Sequence, residues 1–444
     1  MICLANIASK WYHINNMYLG ANMISNNKLD PKYIDVLDGI RALSVIIVLI
    51  FHFWQQTWIF PNIRTPFLRF LKIESIDFTN LATMGYLFVD MLVLLSGFLL
   101  FLPVMRQVFL DDSRLDVRLY IKKRIARILP SYYFAVLFVF FVFALPSGQY
   151  ASKEIAYKDL ITHLTFTQTL FVQTHLQTKC GAVLWTVAVE VWFYIIFPFI
   201  ARLIEKRDCL TKQKSIITSI SIIMMLFISM HLITVYWDKA FVNRPNAYVA
   251  MYINQLPAFM GTYANGMLGA MLYVLAVMYL DRSRAVSIVA TILSVLCLFY
   301  IITLIKDCER LPANGKQFWQ VSKRWLWTGS FTVFILSSAM SARWFRALLS
   351  NPVMRFLSRI SFNLYIWHQW LAVQIKYEWR IPAWTGEVPP NQTGDRVWMN
   401  KYALIITAAA FIVATLFTYL IERPASDIIL GKRTFVFKKS SKTQ

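Results

Sequence analysis

Leu37-Asp38-Gly39-Ile40-Arg41-Ala42-Leu43-Ser44, then the apolar run 45–51, then His52: this stretch decides the class of fold. An arginine enters a hydrophobic segment and a histidine sits inside it. Eleven residues separate Arg41 from His52. At 100° per residue that is three turns plus about 20°, so the two share one helix face, about 16 Å apart along the axis. An ionisable group inside a membrane span is costly and marks a functional site by default. A histidine that only hydrogen-bonds a neighbouring helix explains the spacing equally well.

The rest of the chain has the same character. Hydrophobic residues make up 58% of the 444 and charged residues 15%, with a mean hydropathy of +0.52. That excludes an ordinary soluble domain. Ten stretches are apolar enough to cross a bilayer, roughly 40–60, 83–105, 130–147, 183–204, 215–237, 256–280, 285–305, 328–348, 355–377 and 402–421. The fold class that follows is an all-α integral membrane protein, a bundle of about ten transmembrane helices.

An even number of spans puts both termini on one side. With that side inside, 28 of the 45 Lys and Arg residues collect there, so a multi-pass protein of the plasma membrane with both termini cytoplasmic is expected. The formal net charge of +22 then reads as basic cytoplasmic loops, with no nucleic acid among the partners. The segment 155–175 is amphipathic and is expected along the outer interface. No internal repeat supports an inverted-repeat transporter.

The first 30 residues lack the pattern of a cleaved signal peptide, so the first span is expected to act as the targeting signal, and Met23 is a second candidate start. Cys3, Cys180, Cys209, Cys297 and Cys308 show no metal-ligand spacing, and no metal site is expected. Cys180 and Cys308 fall on the same outer side, but spacing gives no reason to pair them.

Carried onto this topology, His52, Asp90, Glu190 and His368 come from four spans and fall at one level, slightly outside the midplane. A histidine beside a carboxylate is a general base, because the carboxylate fixes the tautomer and stabilises the imidazolium. For Asp90 and Glu190, a structural His–acid pair that locks helices together is an equal alternative. His368 reads slightly better as an interfacial cap. On the inner side, Lys122, Lys123, Arg124 and Arg127 precede the third span. Arg124 and Arg127 share a helix face, and paired guanidinium groups suit phosphate. Juxtamembrane cations that attract anionic lipid are the commoner explanation.

Seven stretches together resemble membrane-bound acyltransferase family 3: LDGIRALSVIIVLIFH at 37–52, YLFVDMLVLLSGFLL at 86–100, YIKKRIARILPSYY at 120–133, LWTVAVEVWFYIIFP at 184–198, LPAFMGTYANGMLGA at 256–270, ISFNLYIWHQW at 360–370 and YLIERP at 419–424. They occur in the family's order. The resemblance implies a ten-helix bundle that moves an acyl group, usually acetyl, from cytoplasmic acyl-CoA to a hydroxyl of a glycan or lipid-linked sugar.

By position it implies His52 as the catalytic histidine and Arg41, Arg124 and Arg127 as donor-binding residues. Glu190 and Asp90 are the further catalytic candidates, and His368 is a substrate-binding one. Thr186 and Val191 depart from the family's usual serine and second acidic residue in the fourth-span motif. That departure removes a second-acid role and leaves Glu190.

The domain organisation expected is a cytoplasmic segment 1–34, the acyltransferase domain 35–425 and a basic cytoplasmic tail 426–444. The hydrolase-like domain that some relatives append is not expected here. The partners expected are the bilayer, acyl-CoA (acetyl-CoA foremost), the glycan acceptor and a secreted transferase to which acyl groups are relayed. A polysaccharide exporter, an acyl relay and a catalytically inert receptor are the alternatives left open.

Overall fold

The computed structural model describes residues 29–65, 74–205, 212–241 and 244–432. Cys3, Cys209, the candidate start Met23 and the end of the basic tail lie outside the described residues. Eleven helices carry the architecture: α1 (Val36–Thr57), α2 (Val89–Leu110), α3 (Val117–Phe138), α4 (Lys153–Leu164), α5 (Trp185–Ile204), α6 (Lys212–Val235), α7 (Leu256–Tyr279), α8 (Arg284–Glu309), α9 (Arg324–Met340), α10 (Pro352–Val373) and α11 (Arg396–Phe417). The only strands among the described residues are β1 (Asn62–Arg64) and β2 (Ser75–Asp77), a short antiparallel pair with Ile63 opposite Ile76.

Among the described residues, eight helices are long and apolar enough to cross a membrane: α1, α2, α3, α5, α6, α7, α8 and α11, several extended by a 3-10 or π turn. The stretches 328–348 and 355–377 also form helices. The first of them, α9, has only 17 residues. It stops short of the expected end because Ser341 turns extended and the Ala342 N–H is taken by Thr291 Oγ1 at 2.8 Å. The remainder folds as a separate helix, Arg343–Ser350, with Phe345 and Leu349 buried. In the second, α10, the buried residues include Asn363 and His368.

A second difference concerns the basic stretch before the third span. It is not a loop. Asp116 caps a helix there, accepting from the Leu119 N–H at 3.0 Å, and α3 runs unbroken from Val117. Arg124 and Arg127 therefore sit inside the helix. Their density of charge hides a segment that long arginine stems can still bury.

At the centre, α2 crosses α7 backbone to backbone. A Cβ at Gly266 would lie 2.3 Å from the Leu94 carbonyl oxygen and 2.7 Å from the Phe98 nitrogen, and one at Gly97 would lie 2.8 Å from the Tyr263 carbonyl oxygen. Small residues at crossing points are how membrane helices approach this closely. Outside the spans, Asp159 ties α4 to the loop that follows it. Its Oδ2 accepts from the Tyr150 hydroxyl at 2.8 Å, the Thr178 hydroxyl at 3.0 Å and the Lys179 N–H at 3.1 Å. Cys180 and Cys308 are both free and buried.

Two expectations follow. Gly266→Val costs about 1–3 kcal/mol through overpacking against backbone that cannot yield, and the detergent-solubilised protein melts earlier; Gly329→Ala, where a Cβ meets nothing closer than 3.7 Å, melts as wild type. Burial pushes the Asp159 carboxyl up, but the hydrogen bonds of His163, Tyr150 and Lys179 outweigh it and hold the group below its ordinary 3.8. Its stabilising contribution is thus complete above the unfolded value and is lost as pH falls through the lower folded one. Asp159→Asn flattens the acid limb of stability against pH, measured by thermal unfolding.

Candidate active site

Two helices bring three arginines to one cavity. Arg41 comes from the first turns of α1, and Arg124 and Arg127 from α3. With Ser96 of α2, Glu190 and Tyr194 of α5 and Tyr365 of α10, they line a cavity of about 340 Å³. Glu190 is held in place: Oε1 accepts from Ser96 Oγ at 2.8 Å and Oε2 from the Tyr194 hydroxyl at 3.2 Å. Arg124 packs its guanidinium over the rings of Tyr120 and Tyr194, 5.6 and 5.3 Å from their centroids, and its buried Nε has no hydrogen-bond partner.

Among the described residues none of the three arginines pairs with a carboxylate. Charges in a membrane bundle normally find partners. Three guanidinium groups around one carboxylate leave this cavity with a surplus positive charge and with donors free for an anion.

A second cavity, of about 570 Å³, lies beside the first and contains His52. The histidine has a partner, and it is another histidine. His52 Nδ1 lies 3.0 Å from His368 Nε2 and 3.0 Å from the Val48 carbonyl oxygen. His368 Nδ1 lies 2.8 and 3.1 Å from the carbonyl oxygens of Tyr365 and Leu364. A carbonyl only accepts, so Nδ1 of His368 carries the hydrogen and its Nε2 presents a lone pair. That lone pair accepts from His52 Nδ1–H. The His52 Nε2 lone pair is then left for chemistry, and a proton taken there is stabilised by the ring behind it.

The four ionisable residues expected at one level are thus divided. His52 and His368 are in contact. Asp90 lines the same cavity, but its Oδ2 accepts from Arg324 Nε at 3.2 Å. Glu190 belongs to the arginine cavity. Among the described residues, no hydrogen bond or ion pair joins either carboxylate to His52.

Arg324 is not singled out by sequence, because it stands with Lys323 just before the expected span 328–348, where cations are ordinary. It is buried, stacks 4.2 Å over Phe259 and donates to the carbonyls of Ala258 and Ile253 at 2.8 and 3.3 Å. Tyr365, which lines both cavities, was visible only as part of the motif around His368. One group of potential metal ligands comes together among the described residues, Asp159, His163 and Cys180; none of the three lines either cavity.

Removing one partner of a buried ion pair strands the other, at about 3–5 kcal/mol, whereas an apolar pair of similar size restores most of that. Arg324→Met is therefore expected to lower the melting temperature steeply and Asp90→Leu/Arg324→Met to recover most of it.

Comparison with known proteins identifies the family. The profile of the acyltransferase domain matches residues 34–423. The chain is 21% identical to O-acetyltransferase OatA of Staphylococcus aureus (strain MRSA252) over 434 residues, 93% of this chain and 60% of that protein. It is 22% identical to a provisionally named O-acetyltransferase of S. aureus (strain COL) over 367 residues, 76% of this chain and 50% of the other. A provisionally named acetyltransferase of Acidianus two-tailed virus is 23% identical over 352 residues, 78% of this chain and 85% of the viral one. The chain spans about half the length of the strain COL relative. No solved structure matches. The family match runs from the start of α1 to beyond α11 and takes in every residue of both cavities: the chain belongs to acyltransferase family 3.

Proposed function

We propose that this protein is a membrane O-acyltransferase. It takes an acyl group, acetyl foremost, from cytoplasmic acyl-CoA and delivers it to a hydroxyl of a cell-surface or lipid-linked polysaccharide. The observation that carries the reading is the pair of adjoining cavities, one with three unpaired arginines and the other with a paired histidine. In this reading α9 and α10 complete a ten-span bundle in the plasma membrane, both termini cytoplasmic. Arg41, Arg124 and Arg127 hold the phosphates of CoA, where charge-assisted contacts are strongest. The pantetheine arm reaches past them towards His52.

Two routes pass through His52. As general base, its Nε2 takes the proton of the acceptor hydroxyl, the oxygen attacks the thioester carbonyl, and the proton leaves with the CoA thiolate. As nucleophile, Nε2 bonds to the thioester carbonyl carbon first and the carbon–sulfur bond breaks, so CoA leaves as thiolate and takes a proton from water while the acylated ring carries the positive charge. The acceptor oxygen then bonds to the acyl carbon, the carbon–nitrogen bond breaks, and the hydroxyl proton passes to the freed Nε2 and on to water. His368 positions the ring in both.

The second cavity suits a sugar, with the amides of Gln55, Asn254, Gln320 and Gln369 beside the rings of Trp185 and Tyr86. The acetyl group finds support in the names of the staphylococcal and viral relatives.

Labelled acetyl-CoA and purified protein in vesicles test this. Loss of the histidine removes a factor of roughly 10²–10⁴ in rate, so His52→Ala transfers almost nothing while still folding. Arg127→Ala raises the KM for acetyl-CoA by roughly tenfold or more, the worth of one lost charge-assisted contact. Wild-type transfer by a well-folded His52→Ala variant overturns the mechanism. A wild type that neither binds nor turns over acyl-CoA of any chain length overturns the function.

A further inference from the structure

The two cavities share a wall. Tyr365 and Val89 line both of them. Tyr365 stands on α10 one turn before His368 and is almost fully buried. Its ring therefore separates the arginines from the histidine. The hydroxyl is latched: it accepts from Thr186 Oγ1 at 3.0 Å and lies 3.4 Å from the Val183 carbonyl oxygen, on the chain leading into α5. The backbone at this point is fixed independently, because the Tyr365 carbonyl accepts from His368 Nδ1 at 2.8 Å. The ring can therefore turn about its own side-chain bonds while the backbone stays in place, giving up its two hydroxyl contacts and its packing beside the His368 ring, whose centroid is 5.8 Å away.

We propose that Tyr365 is the gate between donor and acceptor cavities: latched to Thr186 it keeps the arginine cavity closed to the His52 cavity, and the arm of a bound acyl donor displaces it. This rests on the reading of the two cavities as donor and acceptor sites. Its function is to protect the thioester. Acceptor and water enter the His52 cavity, and excluding water until transfer is what prevents loss of a reactive acyl group. With the gate absent, water replaces the sugar hydroxyl: its oxygen bonds to the acyl carbon, the carbon–sulfur bond breaks, and carboxylic acid and free CoA thiol leave. Tyr365 is a positioning residue, since it acts on what reaches His52.

The experiment has two arms. In the first, vesicles with purified protein are given labelled acetyl-CoA with and without glycan acceptor, and released acetate is compared with acetylated glycan. Tyr365→Ala and Thr186→Ala are expected to raise the ratio of hydrolysis to transfer roughly tenfold, the worth of about 1.4 kcal/mol of lost barrier. Thr186→Ser behaves as wild type.

The second arm needs no catalysis. In a variant whose five native cysteines are replaced by serine, Leu92→Cys puts a thiol in the arginine cavity. A membrane-impermeant maleimide is applied from the side on which the His52 cavity opens. It is expected to label this thiol slowly behind Tyr365 and several-fold faster with Tyr365→Ala. Unchanged labelling and an unchanged ratio in folded variants overturn the gate. Faster labelling in a protein that turns over no acyl-CoA upholds the partition and overturns the transferase reading instead.

Discussion

A guanidinium in hydrocarbon has to find an anion, and this molecule answers that demand in two opposite ways. Arg324 is satisfied within the fold. Asp90, two backbone carbonyls and the face of Phe259 surround it, and it joins α9 to α2 and to the start of α7. Among the described residues, Arg41, Arg124 and Arg127 are left without carboxylate ion-pair partners around a cavity. The first arrangement is architecture. The second leaves positive charge facing an open space. Both rest on the close crossing of α2 and α7 at Gly97 and Gly266, which brings α2 deep enough for Asp90 and Ser96 to reach their partners.

The same contrast separates the two carboxylates. Asp90 and Glu190 look alike along the chain, each a carboxylate in the first third of an apolar span. Asp90 neutralises a structural arginine. Glu190, steered by Ser96 and Tyr194, faces the arginines and tempers their charge without cancelling it. Neither is the partner of His52. That role falls to His368, whose ring is oriented by its own backbone one turn away.

Much of this was legible before any coordinates. Periodicity and apolar length found the helices because a bilayer imposes both. The spacing of Arg41 and His52, and of Arg124 and Arg127, singled out residues that line the two cavities because helix geometry converts spacing directly into direction. Depth was less informative. Placing His52, Asp90, Glu190 and His368 at one level says nothing of which way each faces around the bundle, and it is the facing that pairs His52 with His368 and sends the carboxylates elsewhere. Arg324 stayed hidden because a cation at a span end looks the same whether it snorkels to water or turns inward. The third helix starts at Val117, ahead of the expected 130, because charge density argues against burial although only the guanidinium tips need to reach the cavity.

The histidine pair has an electrical consequence. An N–H···N contact between two imidazoles needs one lone pair, so the couple holds at most one extra proton. The couple is cationic while it holds that proton and neutral once it gives it up. Charge displaced through a membrane field is weighted by about 2.3 kcal/mol per 100 mV, so the pair feels such a field only while it is protonated, and a proton returned to the side from which it came leaves no net displacement.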